Sequence, residues 1–134
     1  MTDRELLLQA VSAREFSYSP YSGFRVGAAL LGESGKVYLG CNVENAAYSV
    51  TNCAERTAIF KAVSEGERAF KAIAIVGGKG DTVSEVCAPC GVCRQVLAEF
   101  CSGDLRVVLG TPDTIKAYSL AELLPLAFDK NNLE

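Results

Sequence analysis

Two runs stand out: AIAIV at residues 72–76 is continuously hydrophobic where a half-exposed strand would alternate, and LRVVLG at residues 105–110 is apolar but for Arg106. Runs of that kind fit strands covered on both faces. Between them lies CAPCGVCRQVLAEFC, residues 87–101, a loop that opens into a helical pattern at about Gly91. Two strands joined through a helix form a crossover, which places them parallel in one sheet with helices packed upon it.

The other segments extend that core. Residues 3–17 set Leu6, Leu7, Ala10, Val11 and Arg14 at helical spacing behind Asp3 as N-cap, and Pro20 ends the pattern. FRVGAALL and KVYLGCNV flank GESG and read as a β-hairpin. Residues 53–65 read as a helix stopping at Gly66, and GGKGDTVSEV, residues 77–86, as a glycine-rich loop. IKAYS is a fifth strand, and SLAELLP a short helix capped by Ser119. No repeat, linker or low-complexity tract interrupts the chain. The expectation is a single domain over residues 1–134, a three-layer α/β/α fold with a five-stranded mixed sheet.

A chain of 134 residues can bury a core of its own but is short for two ordinary domains. Thirteen basic against sixteen acidic side chains give a net charge of -3, and no basic stretch suits a phosphate backbone. Nucleic acid is therefore not expected as a partner. The opening MTDRELLLQA lacks the order of a signal peptide and no run approaches membrane-spanning length, so a soluble, cytoplasmic protein is expected. In a reducing compartment the six cysteines point to metal binding or burial rather than disulfides. The chain contains no histidine, which removes the commonest general base and the commonest metal ligand from any mechanism.

Cys90 and Cys93 form a C-x-x-C after Pro89 at the mouth of one helix, and Cys53 stands at the mouth of another. The pair alone is compatible with a metal, a redox dithiol or coincidence. If the two helices pack side by side, however, three thiols converge, and the helix N-termini favour their thiolate forms, which zinc binds. Three protein ligands leave a tetrahedral zinc one open position, the mark of a catalytic site, and water is its natural occupant. Glu55, two residues beyond Cys53, can address that water. Three thiolates around a dication sum to −1 (2 − 3), so positive compensation is needed, and Arg56 can donate to the sulfurs. Cys87 extends the motif to C-x-x-C-x-x-C and offers a fourth thiol. With it, a closed structural staple holding an interaction module is the alternative to an enzyme.

CAE within NCAERTA, followed by PCxxC within APCGVCRQ, resembles the zinc-dependent nucleoside deaminases. PYSGFRVGAAL, GCNVENAAYS and CAERTA together are similar to the small homotetrameric cytidine deaminases with three cysteine ligands, over about Tyr18 to Phe128. The family's five-stranded mixed sheet agrees with the independent reading. The resemblance implies one zinc per chain on Cys53, Cys90 and Cys93, with Glu55 as proton shuttle. It implies Phe24 against the pyrimidine ring, Asn42 and Glu44 on the ribose hydroxyls, and Ala54 and Tyr48 completing the pocket. It also implies a homotetramer with shared sites, in which Phe128 covers the base in an adjoining subunit, against the plainer reading that Phe128 closes its own chain's core. The implied reaction is hydrolytic deamination of cytidine and deoxycytidine in pyrimidine salvage. Water activated by the zinc gives its proton to Glu55, hydroxide attacks C4, Glu55 protonates N3, and ammonia leaves.

Overall fold

The computed structural model describes residues 1–84 and 86–134. Four helices and five strands follow one another as α1 (Asp3–Arg14), β1 (Phe24–Gly32), β2 (Val37–Cys41), α2 (Ala54–Ser64), β3 (Phe70–Lys79), α3 (Gly91–Phe100), β4 (Arg106–Thr111), β5 (Thr114–Ser119) and α4 (Leu120–Leu123). Two short 3₁₀ turns, Tyr48–Val50 and Lys130–Leu133, stand outside the sequence expectation.

The strands form one sheet in the order β2-β1-β3-β4-β5. β1 and β2 are the expected hairpin, in register from Gly27 opposite Cys41 to Leu31 opposite Val37. β1 and β3 run antiparallel, β3 and β4 parallel across the α3 crossover, and β4 and β5 antiparallel, so the sheet is mixed as expected.

Strand alternation divides the core into two layers. Leu30, Ile73, Ile75, Val107 and Leu109 point to one face, which we call the front, where they pack with Ala58, Ile59 and Ala62 of α2 and Leu97 of α3. Ala29, Ala72, Ala74, Val76 and Val108 point to the back, against Leu6, Leu7 and Ala10 of α1. Two glycines set how closely the helices approach. A Cβ on Gly27 would lie 2.0 Å from the Ala10 carbonyl oxygen of α1, and one on Gly40 would lie 2.4 Å from the Ala54 carbonyl oxygen of α2.

Three local expectations are corrected. The N-cap of α1 is Thr2, whose hydroxyl accepts from the Glu5 amide at 3.1 Å, because the Asp3 carboxylate is taken by Arg106. The helix ends at Arg14, short of residue 17, once its buried row of Leu6, Leu7, Ala10, Ala13 and Arg14 is complete. The strand read at 72–76 runs from Phe70 to Lys79, so Gly77 and Gly78 belong to the sheet rather than to a loop. Glu85, within the same expected loop, lies outside the described residues. Ser119 caps α4 as expected, in a capping box with Glu122. No helix among the described residues is long and apolar enough to cross a membrane.

Candidate metal centre and active site

α2 and α3 both lie on the front face and begin at the same end of the sheet. Cys53 is the N-cap of α2 and Cys90 that of α3, and the Cys90 sulfur accepts from the Cys93 amide at 3.5 Å. The two helix starts bring three sulfurs together: Cys53 to Cys90 is 3.8 Å, Cys90 to Cys93 is 3.4 Å, and all three lie within 4.8 Å of one another. Zinc–sulfur bonds of roughly 2.3 Å at tetrahedral angles separate sulfurs by about 3.8 Å, so the donor set and spacing fit a trithiolate zinc. Cys87 is not in that group; it lines the adjoining cavity, and a Cβ on Gly77 would lie 2.6 Å from its sulfur. The geometry thus opposes the closed four-sulfur staple.

Electrostatics at the cluster favour thiolate at one corner. The bond from Cys93 and the Arg56 guanidinium, whose Nη2 donates to the Cys53 sulfur at 3.2 Å, bring the Cys53 thiol down to about 5 against the opposing effect of burial. The cost falls on Cys93, pushed above the usual thiol range by the same contact and by burial. Arg56 Nε is buried without a partner among the described residues. An unmatched guanidinium donor beside three thiols suits a centre whose ligands carry excess negative charge.

Glu55, in the first turn of α2, is only 4% exposed. Burial raises its carboxyl to about 7, with the Cys53 charge adding to the rise and its own backbone amide and Cys93 opposing it. A carboxyl in that range can both accept and return a proton near neutrality.

Two cavities share Thr51 as a wall. One of about 200 Å³ is lined by Asn42, Cys53, Ala54, Glu55, Cys87 and Cys90. Its larger neighbour, about 390 Å³, is lined by Tyr21, Ser22, Glu44, Tyr48 and Thr51 and lies away from the sulfurs. The smaller is the better candidate for the reacting centre, because it alone holds the thiols and Glu55. In the larger one, Glu44 Oε1 accepts from the Tyr21 and Ser22 amides at 3.0 and 3.1 Å and Oε2 from the Ser22 hydroxyl, which holds the Glu44 carboxyl below its ordinary value. Tyr48 is 73% exposed and meets Tyr21 edge-on, with ring centroids 6.0 Å apart.

Asn42 is more constrained than its expected ligand role suggests. Its Oδ1 accepts from the Val26 amide at 2.9 Å and the Ser17 hydroxyl at 2.5 Å, and its Nδ2 donates to the Phe24 carbonyl at 2.8 Å. One N–H is left for a ligand. Phe24 lines neither cavity; it is half-buried, and its ring edge shares the space above Gly77 with Cys87. Phe128 is 61% exposed, lines neither cavity of its own chain, and is tethered through its carbonyl to Gln95 Nε2 at 2.7 Å. It does not close its own core.

With the cluster, the buried carboxyl and the fold described, similarity to known proteins becomes informative. The family profile for the cytidine and deoxycytidylate deaminase zinc-binding region matches residues 1–111. The chain belongs to that deaminase family. It is 54% identical to a cytidine deaminase of Sporosarcina psychrophila over 99% of this chain and 96% of that protein. A cytidine deaminase of Halalkalibacterium halodurans is 52% identical, over 98% of each. Among solved structures, a cytidine deaminase from Burkholderia pseudomallei superposes with a TM-score of 0.88 at 49% identity, over 96% of this chain and all of that one.

Sequence reasoning missed several residues of this deaminase site. Ser17, Tyr21 and Ser22 hold Asn42 and Glu44 from a loop with no periodic signal. Arg94 braces the Cys90–Cys93 turn, with Nε donating to the Pro89 carbonyl at 2.7 Å and Nη1 to the Leu123 carbonyl at 2.6 Å. The signal available for Arg94 was its place immediately after Cys93.

Proposed function

We propose that the protein is a zinc-dependent cytidine deaminase, a single domain over residues 1–134 that converts cytidine to uridine and ammonia. One observation carries the reading. Three cysteine sulfurs converge at two helix N-termini, with the buried Glu55 beside them at one end of a divided cleft. A purely structural metal site has no use for a buried carboxyl near neutrality.

Cys53, Cys90 and Cys93 would hold one zinc per chain. When bound, zinc supplies a Lewis acid that makes water a nucleophile at neutral pH. Glu55 accepts a proton from the attacking water and delivers it to N3 of the base. The C4–O bond forms, the remaining water proton passes from the new C4 hydroxyl through Glu55 to N4, and the C4–N4 bond breaks, so that ammonia leaves and C4 becomes a carbonyl with no change of oxidation state. The buried setting of Glu55 excludes bulk water from the transfer, and Arg56 offsets the excess charge of the thiolates.

A nucleoside has a flat base and a polar sugar, and the two cavities differ in the same sense. The base belongs at the sulfur end beside Ala54, and its contact with Phe24, whose ring lies next to Cys87, rests on the family resemblance. The sugar belongs toward Glu44 and Tyr48, with the free N–H of Asn42 between. Deoxycytidine as a second substrate, a role in pyrimidine salvage, a cytoplasmic location and a homotetramer whose sites borrow Phe128 complete the proposal on the family resemblance. The exposure of Phe128 supports the last of these.

The test is direct. Purified protein is mixed with cytidine and followed by ultraviolet absorbance and ammonia release, with a chelator-treated control. Turnover that the chelator abolishes and added zinc restores is expected; no ammonia from zinc-loaded protein would sink the reading.

A further inference from the structure

Arg14 is the one strongly buried cation of the chain among the described residues, 3% exposed, at the C-terminal end of α1 on the back face. Among the described residues no carboxylate pairs with it. Its guanidinium instead donates to four main-chain carbonyls. Nε reaches Arg25 O at 2.9 Å, and the two N–H groups of Nη2 are shared among Gly78 O at 2.9 Å, Gly80 O at 2.6 Å and Thr82 O at 2.5 Å. Burying a guanidinium without an acid is costly unless its donors are matched, so four carbonyls held at once make a strong local constraint.

These carbonyls belong to two segments that lead into the lining of the deaminase cavity, at Val26 and at Cys87. Arg25 lies between Phe24 and Val26, and the Asn42 amide grips the same turn of chain from the other side through Phe24 O and Val26 N. Gly78, Gly80 and Thr82 mark the chain as it leaves β3 and folds back over the strand end, where the Ser84 amide donates to Gly77 O at 2.6 Å. A Cβ on Gly78 would lie 2.0 Å from Thr82 O, so the return is tight. Just beyond, the Cys87 sulfur rests on the opposite face of Gly77 beside the Phe24 ring, and the chain enters the Cys90–Cys93 turn. Arg25 adds a weaker hold from the solvent side, with Nη2 on the Arg14 and Glu15 carbonyls and Nη1 on Asp81.

We propose that Arg14 is a positioning residue for the deaminase site, fixing from behind the sheet the segment that delivers Cys87, Cys90 and Cys93 and its register against Phe24. It touches neither metal nor substrate and acts through the main chain it holds. A lysine cannot reproduce the grip, because one ammonium replaces a planar fork that spans residues 25 and 78–82.

This inference rests on the deaminase reading of the same site, and the experiment separates the two. Arg14→Lys is compared with Leu7→Ala, a back-face core change in the same helix that meets none of these carbonyls. Three quantities are read: zinc release to a chromogenic chelator, amide hydrogen exchange of the peptide spanning residues 77–90, and KM and kcat for cytidine. In Arg14→Lys, zinc release and exchange in that peptide should each rise on the order of tenfold, and KM severalfold. Leu7→Ala should leave all three within about twofold while lowering the melting temperature. If both variants lower only the melting temperature, Arg14 is a core-filling residue and the proposal fails. Should Arg14→Lys not fold, Arg25→Gln decides: a twofold to threefold rise in exchange across residues 77–90 supports the clamp, and no change overturns it. Zinc release and exchange need no turnover, so a wild-type protein inactive on cytidine would sink the function while leaving the clamp open to the same two measurements.

Discussion

The two faces of the sheet are built from alternate residues of the same strands, yet they do different work. On the front, large branched side chains hold α2 and α3 so that both helices begin at one end of the sheet. On the back, Ala29, Ala72 and Ala74 let α1 lie close, and that helix ends at the same end of the sheet. Positive helix starts therefore face thiols in front, while a negative helix end carries Arg14 and its carbonyls behind. Reactive groups gather where backbone polarity is left unspent toward a cavity; where it is matched internally, the residues support.

That contrast is broken most severely at the sulfurs. Cys90→Ser and Cys93→Ser should each lose the metal and with it all measurable turnover, whereas Cys87→Ser should keep about one zinc per chain and most activity. Metal analysis of the purified variants checks this. A Cys87→Ser protein without zinc, together with four sulfur neighbours by X-ray absorption in the wild type, would return the structural staple. Next in size is Glu55→Gln. It should fold and bind zinc, because Glu55 is not a proposed ligand, and lose at least the roughly 10²- to 10⁴-fold typical of a positioned acid or base. Near-normal kcat in a zinc-loaded variant would remove Glu55 from the chemistry.

Much of the front face was legible in the sequence, because its signals are local. The helix-mouth cysteines, the C-x-x-C turn, the hairpin around GESG and the Ser119 cap are all set by neighbours a few residues away. The unread parts depend on partners distant in the chain. Gly77 and Gly78 looked like loop because glycine carries no strand signal, yet they are strand residues kept bare for Cys87 and Thr82. Asp3 and Thr2 are both good caps, and the choice between them is made by Arg106, at the far end of the sequence. Arg14 was legible as a member of the periodic row of α1 but not as a clamp, because nothing nearby marks the carbonyls it meets. The resemblance marked Asn42 as a contact to the ribose hydroxyls, but not as the brace of β1.

Arg56 sharpens the comparison by showing what a front-face cation does. Arg56→Gln should leave the melting temperature nearly unchanged while lowering turnover and zinc retention on the order of 10- to 100-fold, as the loss of a partner to metal ligands does. Unchanged metal affinity and turnover would mean that the helix ends alone compensate the thiolates. Leu7→Ala is its back-face counterpart. It should cost about 2–5 kcal/mol of stability in chemical denaturation, with kcat per folded molecule preserved.

The smallest effect lies farthest from the cavity, at the back-face pair that displaced the expected cap. Arg106 Nε donates to both Asp3 carboxylate oxygens at 3.0 Å, and its Nη2 to Oδ2 at 2.6 Å, with the Asp3 side chain 32% and the Arg106 side chain 56% exposed. The hydrogen bond from Arg106 holds the Asp3 carboxyl below its ordinary 3.8, against the opposing effect of partial burial. A carboxyl depressed in the folded state contributes stability above its unfolded value and loses it as pH falls through the folded value. With this much solvent screening the contribution is about 0.2–1 kcal/mol. Asp3→Asn should therefore lower the melting temperature by about 1–4 °C at pH 7. The gap from wild type should narrow as pH is taken below 3.8, and also in high salt. Calorimetry across that range checks the sign: a gap that widens on acidification would mean the ionised carboxylate is not the stabilising form. Turnover at neutral pH should not move, because this pair serves the face that supports the chemistry without entering it.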